Sequence, residues 1–228
     1  ASQLIQEEDE GVLDAAATRR EFPLVRPEGL QGAACWSDYF MVSSERILME
    51  LLRDACRHGA IALNYAPVVE IVAEDGRARG VQLRDRLSSR VHTISARRVA
   101  NCTGPRLAEL ARDPAREAAR VFRPSLAMNL LLDLKLPGRH AVAVAAPWPD
   151  APILFLLPLA ESLLAGTLHL PRPITTVEAV PAEAEIGQFL GMLNAAVPGL
   201  GATPARVRRV FAGLLPATGP GSADLARA

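Results

Sequence analysis

Asp75-Gly76 stands between two runs rich in strand-forming residues, Val68 to Glu74 and Arg79 to Asp85. An Asp-Gly pair in that setting is a strong local signal for a hairpin, because a tight turn between paired strands needs positive φ. A third run, Val91 to Ala96, follows at once. The sequence therefore predicts a β-meander in the first half of the chain.

Directly after it comes Arg97-Arg98-Val99-Ala100-Asn101-Cys102-Thr103-Gly104-Pro105. This reads as a buried strand that ends at a glycine turn. Val99, Ala100 and Cys102 suit an interior, and Pro105 stops the ladder because it has no N–H. Gly104 lets backbone approach a ligand with no Cβ in the way. Thr103 offers a hydroxyl and a free amide. Such an end can present backbone amides to a cofactor, and an ordinary strand end accounts for the same residues.

Upstream, Ser43 to His58 has the pattern of a helix, with Ser43 as cap and Glu45 in the first turn. Ile47, Leu48, Leu51, Leu52, Ala55 and Cys56 form one apolar stripe, and Gly59 is a natural stop. Ile61 to Leu63 reads as a short buried strand. Residues 1–22 read as polar, helical or irregular. Leu107 to Val121 reads as a helix interrupted near Pro114. In the second half, segments at 130–134, 141–146, 153–158 and 163–168 read as strands of an antiparallel or mixed sheet. An amphipathic helix from Pro181 to about Ala196 and a last strand from Arg206 to Gly213 follow. Residues 217–228 read as a frayed tail.

Composition narrows the partners. Twenty-five basic residues balance twenty-five acidic ones, so nothing points to nucleic acid or an anionic surface. Cys35, Cys56 and Cys102 have no metal-ligand spacing and read as buried thiols of a reducing compartment. The chain opens Ala-Ser-Gln-Leu with no secretory leader pattern, and its most apolar run, Pro152 to Ala160, falls short of a bilayer span. The location expected from this is cytoplasmic. No Gly-x-Gly-x-x-Gly loop, zinc spacing, nucleophile elbow or P-loop is present.

Several segments carry a resemblance when taken in order. They are His58-Gly59-Ala60-Ile61-Ala62-Leu63-Asn64-Tyr65-Ala66-Pro67-Val68-Val69-Glu70-Ile71, Gly80 to Arg86, and Asn101-Cys102-Thr103-Gly104-Pro105. Downstream they continue as Arg123-Pro124-Ser125, Phe155-Leu156-Leu157-Pro158, Gly166-Thr167 and Ala212-Gly213-Leu214-Leu215-Pro216. Together they resemble FAD-dependent glycerol-3-phosphate dehydrogenases, within the D-amino-acid-oxidase-like superfamily, along nearly the whole chain.

The resemblance implies an α/β (α+β) chain in two parts. Residues 1–122 would be part of an FAD-binding domain, with the meander and short strands that join a parallel sheet. Residues 123–216 would be a substrate-binding sheet domain, and 217–228 a tail. It implies FAD as cofactor in the full-length protein, contacted here by Val68, Thr103, Gly104 and Pro105, and hydride transfer from a small substrate with a C–O or C–N bond. A quinone acceptor and a peripheral position at the inner membrane are compatible with it. The family's Gly-rich loop and a later cofactor segment have no counterpart here. A middle portion of a longer protein is therefore expected, binding FAD poorly and inactive by itself.

The resemblance also exposes departures. The family pattern Ser-Lys-Gly-x-His corresponds to Ser125-Leu126-Ala127-Met128-Asn129, and Ala-Gly-x-Arg-Pro to Ala212-Gly213-Leu214-Leu215-Pro216. Two cations become Leu126 and Leu215, and a histidine becomes Asn129, which cannot exchange protons near neutral pH. Gly-Thr-Thr-Asp becomes Gly166-Thr167-Leu168-His169. The substrate contacts expected are Arg123, Asn129, His169 and Leu215, with Asn129 and His169 as catalytic candidates. A substrate less anionic or bulkier than glycerol 3-phosphate is expected. A non-catalytic ligand- or subunit-binding module of the same fold is the alternative.

Overall fold

The computed structural model describes residues 11–110, 122–138, 140–219 and 222–226. In chain order its main elements begin with β1 (Gly11–Asp14), α1 (Ala15–Glu21), β2 (Gly32–Cys35) and α2 (Ser44–Arg57). Next come β3 (Val68–Glu74), β4 (Arg77–Arg84), β5 (Val91–Ser95) and a 3-10 helix at Gly104–Leu110. The second half holds β6 (Pro124–Leu132), β7 (Val142–Ala145), β8 (Ile153–Leu159), β9 (Ser162–Pro171), α3 (Glu183–Ala196) and β10 (Val207–Pro216). The chain divides into two compact units, Asp38–Glu117 and the remainder.

In the Asp38–Glu117 unit, β3, β4 and β5 form the expected antiparallel meander in that order. Asp75 and Gly76 have φ of 49° and 76°, the geometry an Asp-Gly pair adopts at least cost. Ser43 caps α2 by accepting from the Arg46 N–H at 3.2 Å. The helix matches the sequence pattern, but none of its residues is buried, and Ile47, Leu48 and Leu51 stay exposed.

Two strand expectations fail in this unit. Residues 61–63 and 97–102 form no strand, and every described strand pair in the chain is antiparallel. Among the described residues neither segment has a neighbouring strand, and an apolar run without a partner cannot form a ladder. Cys56 and Cys102 are exposed and Cys35 is half-buried, so the thiols do not line a core.

The other unit is built on a five-stranded antiparallel sheet ordered β10-β6-β9-β8-β7. Along β6 burial alternates: Leu126, Met128, Leu130 and Leu132 have no exposed surface, while Ala127, Asn129 and Leu131 are half-buried. This period of two puts the even-numbered residues on one face. That face packs against α3 through Phe189, Leu190 and Leu193.

Phe22 belongs to the same core, with Leu24 and Val25 packed against it. Arg26 donates from Nη2 to the Ala195 carbonyl at 3.0 Å, at the C-terminal end of α3. The stretch through Ser37 is therefore grouped with the second half. Within the stretch read as polar, helical or irregular, residues 11–14 form β1 against β2 and Ala15–Glu21 is the helix α1. The helix expected at Leu107 to Val121 lies mostly outside the described residues.

The tail is also ordered where described. Ala217 bridges Leu225, Thr218 N–H donates to the Asp224 carbonyl at 2.8 Å, and Ala226 N–H donates to Pro216 at 2.8 Å. Fraying was expected from its small residues, yet backbone bonds within the segment satisfy it.

The start of α3 rests on one carboxylate. Glu185 accepts from the Ala182 N–H at 2.8 Å and from Arg172 Nη2 at 2.7 Å. Ala182 has no side-chain oxygen to return, so only half of a capping box is present. The Arg172 hydrogen bond, chiefly, and the Ala182 N–H hold the Glu185 carboxyl below its ordinary pKa. With the folded pKa depressed, the unfolded chain binds more protons as pH falls. The pair's contribution is then present above the ordinary carboxyl pKa and lost as pH drops through the folded one. Glu185→Gln is expected to lower stability by about 1.5–3 kcal/mol near neutral pH. In denaturant titrations the gap from the parent should close in acid; a gap unchanged at low pH would contradict this.

Candidate functional site

The face of the five-stranded sheet away from α3 holds the polar residues singled out from the sequence. Asn129 pairs with Phe211 of β10, and Ala127 pairs with both His169 of β9 and Gly213 of β10. Ser125 pairs with Leu215. Alternation along each strand places Asn129, His169, Phe211 and Leu215 on this one face. Phe211 and Leu215 are 44% and 38% exposed, so no layer covers them as it covers the other side.

A β-bulge shapes the middle of this face. Met128 pairs with Leu168 and Leu130 with Ala165, so β9 spends one more residue than β6 between these points. Gly166 and Thr167 together oppose Asn129. The Thr167 hydroxyl donates to Asn129 Oδ1 at 2.9 Å. A Cβ on Gly166 would lie 1.6 Å from Asn129 Oδ1, so only glycine lets the side chain settle there. With Oδ1 engaged, the Asn129 amide keeps two N–H donors for a ligand.

Next to this pair the face carries only small residues, Ala127 and Gly213, and a Cβ built on Gly213 would meet nothing within 4 Å. His169 stands on one side. Its Nδ1 is buried without a hydrogen-bond partner, and burial pushes the imidazole below its ordinary pKa. The ring is therefore neutral near pH 7 and able to accept a proton. At the far end the tail closes the face: Ser125 is fully buried and its hydroxyl donates to the Ala223 carbonyl at 3.2 Å.

Two expected contacts fall elsewhere. Leu126 has no exposed surface and points to the α3 side, paired with Leu170 and Leu214. Its side chain cannot stand in for a cation over the Asn129 face, because one step along a strand reverses the face. Arg123 lies six residues before Asn129, about 20 Å along an extended strand. Its Nη1 donates to the Thr218 carbonyl at 3.4 Å. Thr167, Phe211 and Gly213 were not picked out as site residues. Counting back by twos from Leu215 would have placed Gly213 and Phe211 on its face.

The residues expected at a cofactor lie in the Asp38–Glu117 unit. Thr103 uses both its N–H and its hydroxyl on Asn101 Oδ1, at 3.2 and 2.7 Å, so neither is free as the sequence suggested. Gly104 has φ of 59°, and nothing lies within 4 Å of where its Cβ would be. Pro105 follows it inside the 3-10 helix. Val68 starts β3, one of the two edge strands of the meander. Among the described residues no group of three or more His, Cys, Asp or Glu side chains is placed to hold a metal, and no helix is long and apolar enough to cross a membrane.

Comparisons with known proteins agree on a family. The aerobic glycerol-3-phosphate dehydrogenase of Bacillus subtilis (strain 168) is 26% identical over 216 residues, which is 92% of this chain and 37% of that protein. The alpha-glycerophosphate oxidase of Lactococcus lactis subsp. lactis (strain IL1403) is 26% identical over 206 residues, 90% of this chain and 34% of the relative. The chain thus spans about a third of the length of these relatives. The structure of the glycerol-3-phosphate dehydrogenase from Bacillus halodurans complexed with FAD superposes with a TM-score of 0.75 at 29% identity, covering 89% of this chain and 41% of that one. L-proline dehydrogenase from P. horikoshii shares the fold, with a TM-score of 0.68 at 14% identity over 91% of this chain and 53% of that one. The family model described as DAO, FAD dependent oxidoreductase, matches residues 2–227, and the chain belongs to that family.

Proposed function

We propose that this chain supplies the substrate-facing sheet of an FAD-dependent oxidoreductase that oxidises a small hydroxyl- or amine-bearing substrate. The carrying observation is that Asn129, Thr167 and His169 share one sheet face left uncovered in the unit that holds them. A bound flavin would supply the acceptor for the hydride that leaves the substrate carbon. The residues of this chain orient that carbon and accept the proton that leaves its hydroxyl or amine.

Asn129 fits the first task. Its amide, fixed through Oδ1 by Thr167, donates to an oxygen on the substrate and orients the molecule. His169 fits the second, because burial keeps its imidazole neutral and so able to take a proton. Gly104 suits a cofactor in part: its open, positive-φ backbone admits a flat ligand. Val68, at the start of an edge strand, would offer backbone groups. Thr103 can contribute only by releasing Asn101.

The substrate's charge is argued from Leu215, since Leu126 faces the core. One missing charge-assisted hydrogen bond costs about 1.5–3 kcal/mol, roughly a tenfold to hundredfold loss of affinity. An anion seated at the Leu215 end would therefore bind more weakly by about that factor. The reading itself is tested by anaerobic reduction of the flavin in the full-length protein, with a panel of small hydroxy and amino compounds that includes glycerol 3-phosphate. No reduction by any member, in a protein that retains flavin, would favour a non-catalytic module.

A further inference from the structure

Arg209 of β10 pairs with Leu131, one level along the sheet from the Asn129–Phe211 pair. That spacing is about 7 Å along a strand. Its guanidinium carbon lies 5.7 Å from the centroid of the Phe211 ring, which fixes it on the Asn129 face. The arginines beside it are engaged: Arg208 donates to Asp133 Oδ1 at 2.6 Å and to Ser162 Oγ at 3.1 Å, and Arg206 lies 3.7 Å from Asp133 Oδ2. Asp133 is shared between two guanidiniums, and among the described residues Arg209 has no ion pair. Three arginines against one carboxylate leave this end of the face positive.

The opposite end is the poorer seat for an anion: its arginine, Arg123, donates to the Thr218 carbonyl at 3.4 Å and lies about 20 Å along the strand from Asn129. Leu215 offers no charge, and the tail covers Ser125. Arg209, two residues from the Asn129–Phe211 pair and without an ion pair among the described residues, is the nearer cation for the substrate's polar head.

We propose that Arg209, stacked on Phe211, is the anion-recognising residue of this site, taking the carboxylate or phosphate of a small substrate whose reacting oxygen or nitrogen lies at Asn129. A guanidinium meets both anions through two parallel N–H donors. The aromatic face beneath limits how far it can swing. This rests on Asn129 and His169 forming the substrate site, and it adds the substrate's orientation: the anion lies away from Leu215.

The test is calorimetric titration of the full-length protein with two non-oxidisable anions, 2-phosphoglycolate and oxamate, and with glycerol as the neutral control. Arg209→Ala is expected to weaken binding of at least one anion tenfold or more, Arg209→Lys less, and glycerol not at all. The arm that responds more strongly identifies phosphate or carboxylate. Equal anion binding by Arg209→Ala and the parent would overturn the proposal, as would no anion binding by the parent at millimolar concentration. Calorimetry needs no turnover, so the outcomes separate. Arg209-dependent binding without flavin reduction would sink the oxidoreductase reading alone; reduction with no dependence on Arg209 would sink this inference alone.

Discussion

His169→Gln in the full-length enzyme should lower kcat by about 10²- to 10⁴-fold, the span lost when a positioned general base is removed. Glutamine keeps a similar reach and hydrogen-bonding capacity but cannot take a proton. Substrate binding should therefore change much less than turnover. The pH profile gives the sharper test. Burial depresses the His169 pKa, so the neutral, proton-accepting form persists below the ordinary histidine value of 6.5. The rate should rise with pH through a limb on the acid side of 6.5, and the glutamine variant should lack that limb. A variant that keeps both its kcat and its acid limb would place the base elsewhere.

Phe189→Ala should destabilise the sheet unit by about 3–5 kcal/mol. Phe189 is completely buried, between α3 and the inner face of the sheet. Its removal leaves a cavity in the core cluster that rigid strands cannot fill. For a chain of this length that corresponds to a fall of about 10 °C in the thermal midpoint. Phe211→Ala, on the open face and 44% exposed, is the natural control. It should leave the midpoint within a few degrees. If the two variants melt together, the assignment of inner and outer faces is wrong.

Much of this arrangement was legible in the residues because it follows from local rules. Asp75-Gly76 dictated its turn and Ser43 its cap. The failures have a shared cause. Whether Val99 to Cys102 forms a strand depends on a neighbour to pair with, and an apolar run carries no record of its neighbour. The order of the tail depends on bonds between residues 217–218 and 224–226, which small side chains do not advertise. The site was half legible. Asn129 and His169 drew attention where the chain departs from the family pattern, and pairing puts them one level apart on one face. Leu126 misled because a motif aligns residues in a line, whereas a strand sorts them to two sides. Thr167 and Arg209 gain their roles from cross-strand register, which no single segment contains.

The extra residue of β9 opposite Asn129 separates two inheritances. Ala165 and Leu168 both face the core although three positions apart, and His169 faces out. Shortening β9 by one residue at Gly166 or Thr167 would restore plain alternation: Ala165 and Leu168 would stay inside and His169 outside. A three-nucleotide deletion could thus erase the seat of Asn129 while every core leucine kept its place. In the opposite direction, a three-nucleotide insertion into an unbulged ancestor could have created it. Substrate preference at this position can therefore drift by small insertions and deletions, a kind of mutation that ordinarily scrambles a sheet.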